Sequence, residues 1–142
     1  MHAALELAHA AFVRGEVPVG AVLVREGKVI ASAHNLTETD RDPTAHAEML
    51  AIRAACETLG TPRLSDCDLY VTLEPCPMCA AAIGFARIRR LYFGAYDAKG
   101  GGVENGPRIF SQATCHHTPE IYGGIQEQEC GELLKAFFKA RR

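Results

Sequence analysis

The chain has 142 residues, a formal net charge of −2 and a pI of about 6.3. That length suits one compact domain able to bury a core, so residues 1–142 read as a single domain. The charge excludes a whole-protein positive field of the kind that draws in nucleic acid, so any such binding must come from local patches.

The first element is a helix from about Leu5 to Arg14, with Leu5, Ala8, Ala11 and Phe12 at helical spacing and Gly15 as its stop. Pro18 to Val24 and Lys28 to His34 are apolar runs around Glu26-Gly27, the pattern of a β-hairpin. A polar loop, Leu36 to Arg41, follows. Asp42-Pro43-Thr44 carries the marks of a helix start, a capping Asp with Pro in the first turn. That helix should run to about Leu59 and end at Gly60.

Leu69 to Leu73 is a short apolar strand broken by Glu74-Pro75. A helix begins near Cys76 and is apolar all round until Arg87, so it needs cover on more than one side. A sheet can cover one face and a partner subunit the other. Ile88 to Ala95 is a further strand, and Gly100-Gly101-Gly102 opens a loop without the Lys-Ser/Thr ending of a phosphate loop. A weak strand sits near Ile121-Tyr122. The last helix spans Glu129 to Arg141, with Leu133, Leu134, Phe137 and Phe138 as its apolar face. Helices alternating with strands after one hairpin predict a three-layer α/β/α sandwich on a mixed sheet of about five strands.

Six cysteines first suggest a secreted disulfide scaffold. The N-terminal Met1-His2-Ala3-Ala4-Leu5 lacks the basic and apolar blocks of a leader, and no apolar run reaches the ~20 residues that span a bilayer. We therefore expect a cytoplasmic protein with reduced thiols and no membrane contact, in which a close Cys pair points to metal. Cys76 and Cys79 are that pair, while Cys56, Cys67, Cys115 and Cys130 are scattered singly.

A Cys-x-x-Cys alone fits half of a structural zinc site or a redox pair. A His-x-Glu such as His46-Ala47-Glu48 is, alone, more often a cap or a surface pair than a ligand set. Together they make a sharper case. Both lie at expected helix N-termini, where backbone N–H groups favour anions. Cys76 and Cys79 share a helix face, and His46 adds an imidazole, which makes three protein ligands. Zinc prefers four, and an open fourth position distinguishes a catalytic site from a structural one. Two thiolates cancel the charge of zinc and weaken its effect on bound water, so a base is needed beside it; Glu48 is in place to be that proton shuttle. Cys115-His116-His117 is a rival cluster, but adjacent loop residues seldom face one ion.

The segments Asp42-Pro43-Thr44-Ala45-His46-Ala47-Glu48 and Thr72-Leu73-Glu74-Pro75-Cys76-Pro77-Met78-Cys79 resemble the cytidine deaminase-like superfamily. Pro18 to Val24, Ala33-His34-Asn35, Phe93 to Lys99 and Phe137 to Arg142 extend the resemblance to the bacterial tRNA-specific adenosine deaminases. The segment Gly100 to Gln112 departs from the form the better-known members take. The resemblance implies one zinc per subunit on His46, Cys76 and Cys79, with Glu48 as general acid and base. It implies that Asn35 hydrogen-bonds the target base and that Asp97 lies near the flanking nucleotide. It further implies a homodimer that converts the wobble adenosine of a tRNA anticodon, that of an arginine tRNA, to inosine by hydrolytic attack at C6.

Two other readings compete. A deaminase of free cytidine, cytosine or guanine accords with the acidic balance, and a non-catalytic zinc domain is disfavoured by Glu48, which a structural site would not need. Two basic clusters answer the charge argument in part: Arg87, Arg89 and Arg90, and Lys135, Lys139, Arg141 and Arg142.

Overall fold

The computed structural model describes residues 1–141. Arg142, one of the expected C-terminal basic cluster, lies outside the described residues. Helix α1 (His2–Val13) precedes the hairpin of β1 (Gly20–Arg25) and β2 (Lys28–His34). Then come α2 (Ala47–Leu59), β3 (Cys67–Leu73), α3 (Pro77–Phe85), β4 (Arg90–Ala95), a short 3-10 turn (Ile109–Ser111), β5 (Glu120–Tyr122) and α4 (Glu127–Ala140). The hairpin turn works because Glu26 and Gly27 both take left-handed backbone, at φ 52° and 76°.

The five strands form one mixed sheet in the order β2-β1-β3-β4-β5. β1 is antiparallel to both β2 and β3, and β3, β4 and β5 run parallel. Two rows of side chains cross the central strands in register: Ala21, Val71 and Phe93, then Leu23, Leu69 and Leu91. All six are fully buried, with Ala51 and Ala55 of α2 and Ala80 and Ile83 of α3 in the same core cluster. Each Leu or Phe withdrawn from water in this way contributes roughly 1.5–3 kcal/mol.

The opposite sheet face carries α1 and α4 at very close range. A methyl group on Gly20 of β1 would run into the Ala4 carbonyl oxygen and lie 2.8 Å from the Ala8 nitrogen. One on Gly94 of β4 would run into the Cys130 sulfur of α4. Helices on both faces complete the expected α/β/α layering.

Several element ends and one apolar face differ from the sequence expectation. The second helix begins at Ala47, not Asp42. Asp42 caps a turn of its own, its Oδ1 accepting from the Thr44 backbone (2.8 Å) and hydroxyl (2.7 Å). The last helix begins two residues early, at Glu127. Its core-facing row is Cys130, Leu134 and Phe137, and Phe138 is 49% exposed rather than part of that face. Phe137 instead meets Phe12 edge to face at 5.7 Å, with the Arg141 guanidinium 3.8 Å above its ring.

The glycine packing is testable by thermal unfolding. Gly20→Ala should destabilise the protein by about 3 kcal/mol or more, since backbone rather than a movable side chain meets the new methyl. Gly131→Ala in α4 meets nothing within 4 Å and should stabilise by about 0.5–1 kcal/mol. Equal melting temperatures for the two variants would refute this account.

Candidate metal centre

The parallel strands β3 and β4 end side by side, Leu73 opposite Ala95. Crevices at the carboxyl edge of such strands are where α/β folds place ligands. From β3 the chain turns through Glu74-Pro75 into Cys76, the N-cap of α3. From β4 it turns into Asp97. Helix α2 approaches from across the crevice with His46 as its N-cap and Glu48 in its first turn. His46 has extended backbone (φ −73°, ψ 150°), which frees its ring from the helix face that Glu48 occupies.

The imidazole and two thiols meet there. His46 Nδ1 lies 3.6 Å from Cys76 Sγ and 3.5 Å from Cys79 Sγ. Zinc bonds of about 2.3 Å to sulfur and about 2.0 Å to nitrogen, at tetrahedral angles, require an S···N separation of about 3.5 Å. The donor set and its spacing therefore fit zinc. Among the described residues, no other set of three His, Cys, Asp or Glu ligand atoms lies within 4.8 Å of one another. Cys115-His116-His117 is occupied otherwise: Cys115 Sγ donates to the His117 carbonyl (3.2 Å), and His117 Nε2 donates to the Ile88 carbonyl (2.7 Å). All six cysteines are free.

The charges at the centre shift as the geometry requires. The hydrogen bond from Cys79 holds Cys76 far below the ordinary thiol range, at about 4, and the His46 contact assists. The same Cys76–Cys79 bond pushes the Cys79 thiol up, with burial adding to it. His46 is raised, first by its hydrogen bond to Cys76. Glu48 is 4% exposed, and burial pushes its carboxyl up to about 7.

Glu48, His46, Asn35 and Asp97 line one cavity of about 240 Å³ whose walls include Val17, Val19 and Leu73. Asn35 is 6% exposed, and its Nδ2 donates to Thr37 Oγ1 at 3.4 Å. Asp97 Oδ1 accepts from the Lys99 and Gly100 backbones at 3.1 and 2.9 Å. All six residues singled out in the sequence thus meet at one place.

Two features were missed. Glu74, read as part of a strand break, is a buried carboxylate on the cavity wall. Asp97 and Gly100 also border a second, larger groove of about 1040 Å³, flanked by Lys99, Lys135, Phe138 and Lys139. The exposed Phe138 belongs to this groove. Of the other basic cluster, at the opposite end of the sheet, Arg89 pairs with Asp68 (3.0 Å) and Arg90 with Glu120 (3.3 Å), while exposed Arg87 forms no ion pair among the described residues.

The raised Glu48 carboxyl has a definite linkage sign in the metal-free protein. Between pH 4.5 and about 7 the folded state keeps a proton that the unfolded state has released. Stability should fall as pH rises across that window. Glu48→Gln should flatten the slope and leave the metal-free variant roughly 2–3 kcal/mol more stable than the unsubstituted protein above the window. Denaturant titrations across the window check this, and parallel slopes for the two proteins would contradict it.

The comparisons with known proteins agree with the geometry. The profile of the cytidine and deoxycytidylate deaminase zinc-binding region matches residues 1–95. The tRNA-specific adenosine deaminase of Agrobacterium fabrum is 60% identical over 142 residues, covering 100% of this chain and 93% of that one. The Bacillus subtilis tRNA-specific adenosine deaminase is 49% identical, covering 100% of this chain and 88% of its own. A solved structure from a study of A-to-I editing by tRNA:A34 deaminases superposes with a TM-score of 0.93 at 61% identity, covering 94% of this chain and 97% of that one. The chain therefore belongs to the zinc-binding cytidine and deoxycytidylate deaminase family, within the group of tRNA-specific adenosine deaminases.

Proposed function

We propose that this protein hydrolyses adenosine to inosine at the wobble position of a tRNA anticodon, that of an arginine tRNA, in the cytoplasm. The observation that carries the reading is the placement of Glu48. It is a buried carboxylate beside a His-Cys-Cys group, in a cavity with room for one base, and that cavity adjoins a groove lined by lysines.

His46, Cys76 and Cys79 would hold one zinc per subunit. Bound zinc supplies the Lewis acidity that lets water act as a nucleophile near neutral pH. Glu48 takes a proton from the attacking water and delivers it to N1 as the oxygen adds to C6. It then takes the remaining proton from the hydroxyl added at C6 and gives it to the exocyclic amine, which departs as ammonia as the C6 carbonyl forms, the scheme known for zinc base deaminases as a group. Water and adenosine are consumed; inosine and ammonia are released. A buried carboxyl, whose burial disfavours its charged form, is suited both to accept and to return a proton.

Asn35 hydrogen-bonds the base and Asp97 borders the flanking nucleotide. Val17, Val19 and Leu73 supply the apolar wall against which a ring can lie. A loop base is already single-stranded, so bringing it into the cavity costs less than opening a duplex. Lys99, Lys135 and Lys139 would meet the phosphates that follow it.

The homodimer reading rests on α3. Phe85 is 74% exposed beside an apolar cavity of about 170 Å³ formed with Ala81, Gly84 and Ile109. An apolar helix end of this kind favours cover by a second copy. Phe85→Asp should convert a dimer into a monomer in sedimentation experiments, and a dimer of undiminished affinity would remove Phe85 from the interface.

Glu48→Ala should keep zinc and fold while lowering turnover by about 10²–10⁴-fold or more. Cys76→Ala should lose the metal by elemental analysis. Normal activity in the first variant, or full zinc in the second, would sink these assignments. The substrate itself is decided by offering an anticodon stem-loop RNA, free adenosine, cytidine and guanine side by side. Turnover of the free compounds alone would overturn the RNA reading.

A further inference from the structure

Glu74 is 2% exposed and takes no part in the proton transfers. Its carboxylate accepts five N–H donors, two on Oε1 and three on Oε2. Oε1 accepts from the Asp97 backbone (3.0 Å) and the Asn105 side chain (2.7 Å). Oε2 accepts from the backbones of Val103 (3.1 Å), Glu104 (2.9 Å) and Asn105 (3.0 Å). Among the described residues no Lys, Arg or His forms an ion pair with it. All of these donors belong to the 97–105 loop, which is wrapped around this one anion.

Two glycines allow the wrapping. A Cβ on Gly101 would lie 2.5 Å from a Glu74 oxygen, and one on Gly102 would lie 2.6 Å from the Pro77 nitrogen. The Gly102 N–H donates to the Pro75 carbonyl at 2.8 Å. The loop therefore rests on the Glu74–Pro77 segment that carries Cys76. Its outer side, Asp97 and Gly100, lines both the base-sized cavity and the lysine-flanked groove. It is the partition between them.

We propose that Glu74 is a positioning residue for the substrate. Its carboxylate fixes the 97–105 loop, and so fixes the partition that a strand crosses when its base enters the cavity and its phosphates lie in the groove. The demand is for acceptors on both oxygens. Glutamine has the same shape but turns an N–H₂ group toward donors. The kinetic part of the test rests on the deaminase reading; the exchange part does not.

The test uses the zinc-loaded full chain carrying Glu74→Gln. Zinc content and cooperative melting should be retained. Amide hydrogen exchange in residues 97–105 should accelerate about tenfold, and KM for an anticodon stem-loop RNA should rise about tenfold with kcat within about threefold. Adding Asn105→Asp should recover part of both changes, because the introduced amide can donate to the introduced carboxylate. A merely structural role would lower melting temperature without this split or this rescue.

Unchanged exchange and unchanged KM in Glu74→Gln would overturn the proposal. So would loss of zinc with the loop still protected, which would assign Glu74 to the metal-bearing helix. Should Glu74→Gln not fold, Asn105→Ala carries the test: KM should rise about threefold with faster exchange of the same amides, and no change refutes the role. If the unsubstituted protein turns over no RNA, the deaminase reading fails and the exchange comparison alone decides the hold on the loop.

Discussion

Glu16, Glu48 and Glu74 are 0%, 4% and 2% exposed, and a carboxylate in that setting must find donors or give up its charge. Two of the three find a set from a surrounding loop, whereas Glu48 has only its own backbone N–H and the Cys79 thiol. Glu16 accepts from the Glu38 backbone (3.1 Å) and from the Thr39 backbone and hydroxyl (2.7 and 2.6 Å). Glu74 has its full set from the 97–105 loop. Burial would raise both, yet these donors overcome it and hold both below the ordinary carboxylate range. Each is a permanent anion that anchors a loop near the crevice. Glu48 has no such loop around it, and burial leaves it close to neutrality. The distribution of backbone N–H groups thus separates two anchoring carboxylates from one that can exchange a proton.

The same economy of donors explains where the thiols lie. Cys76 is the N-cap of α3 and Cys79 is in its first turn, so both sulfurs face the positive end of a helix. His46 occupies the matching position on α2. Two helix starts can meet only if the sheet brings them to one edge, and the adjoining ends of β3 and β4 provide that edge. Gly20 and Gly94 act at a distance on this geometry. By letting α1 and α4 lie against the opposite face, they fix the plane from which the crevice is built.

The metal group was legible because its signal is local: two short spacings, each at a helix start, and a residue type that zinc binds. The hairpin and the central strands were legible for the same reason, since apolar runs and a Glu-Gly turn are read within a few residues. Non-local choices were not. Asp42 signals a cap equally well for a turn or a helix, and Thr44 settled it by donating twice to the Asp42 side chain. Phe138 is adjacent to Phe137, and only the position of α1 decides which of the two is covered. Glu74 beside Pro75 reads as a strand ending. Its donors lie 23 to 31 residues downstream, where no sequence pattern announces them.

The modest negative charge also acquires a local meaning. A net of −2 conceals an uneven distribution. Asp68 and Glu120 tie up Arg89 and Arg90 at the far end of the sheet, and exposed pairs of this kind add little to stability. Their consequence is to neutralise Arg89 and Arg90 locally, at the end of the sheet away from the cavity. Lys99, Lys135 and Lys139 form no ion pair among the described residues, and they flank the groove that Asp97 and Gly100 share with the cavity. Beyond a Debye length of about 8 Å, exposed charges are largely screened, so a strand in that groove responds to these lysines and not to the total. A chain that is acidic overall can therefore present a positive surface at the one place where the proposed substrate must lie.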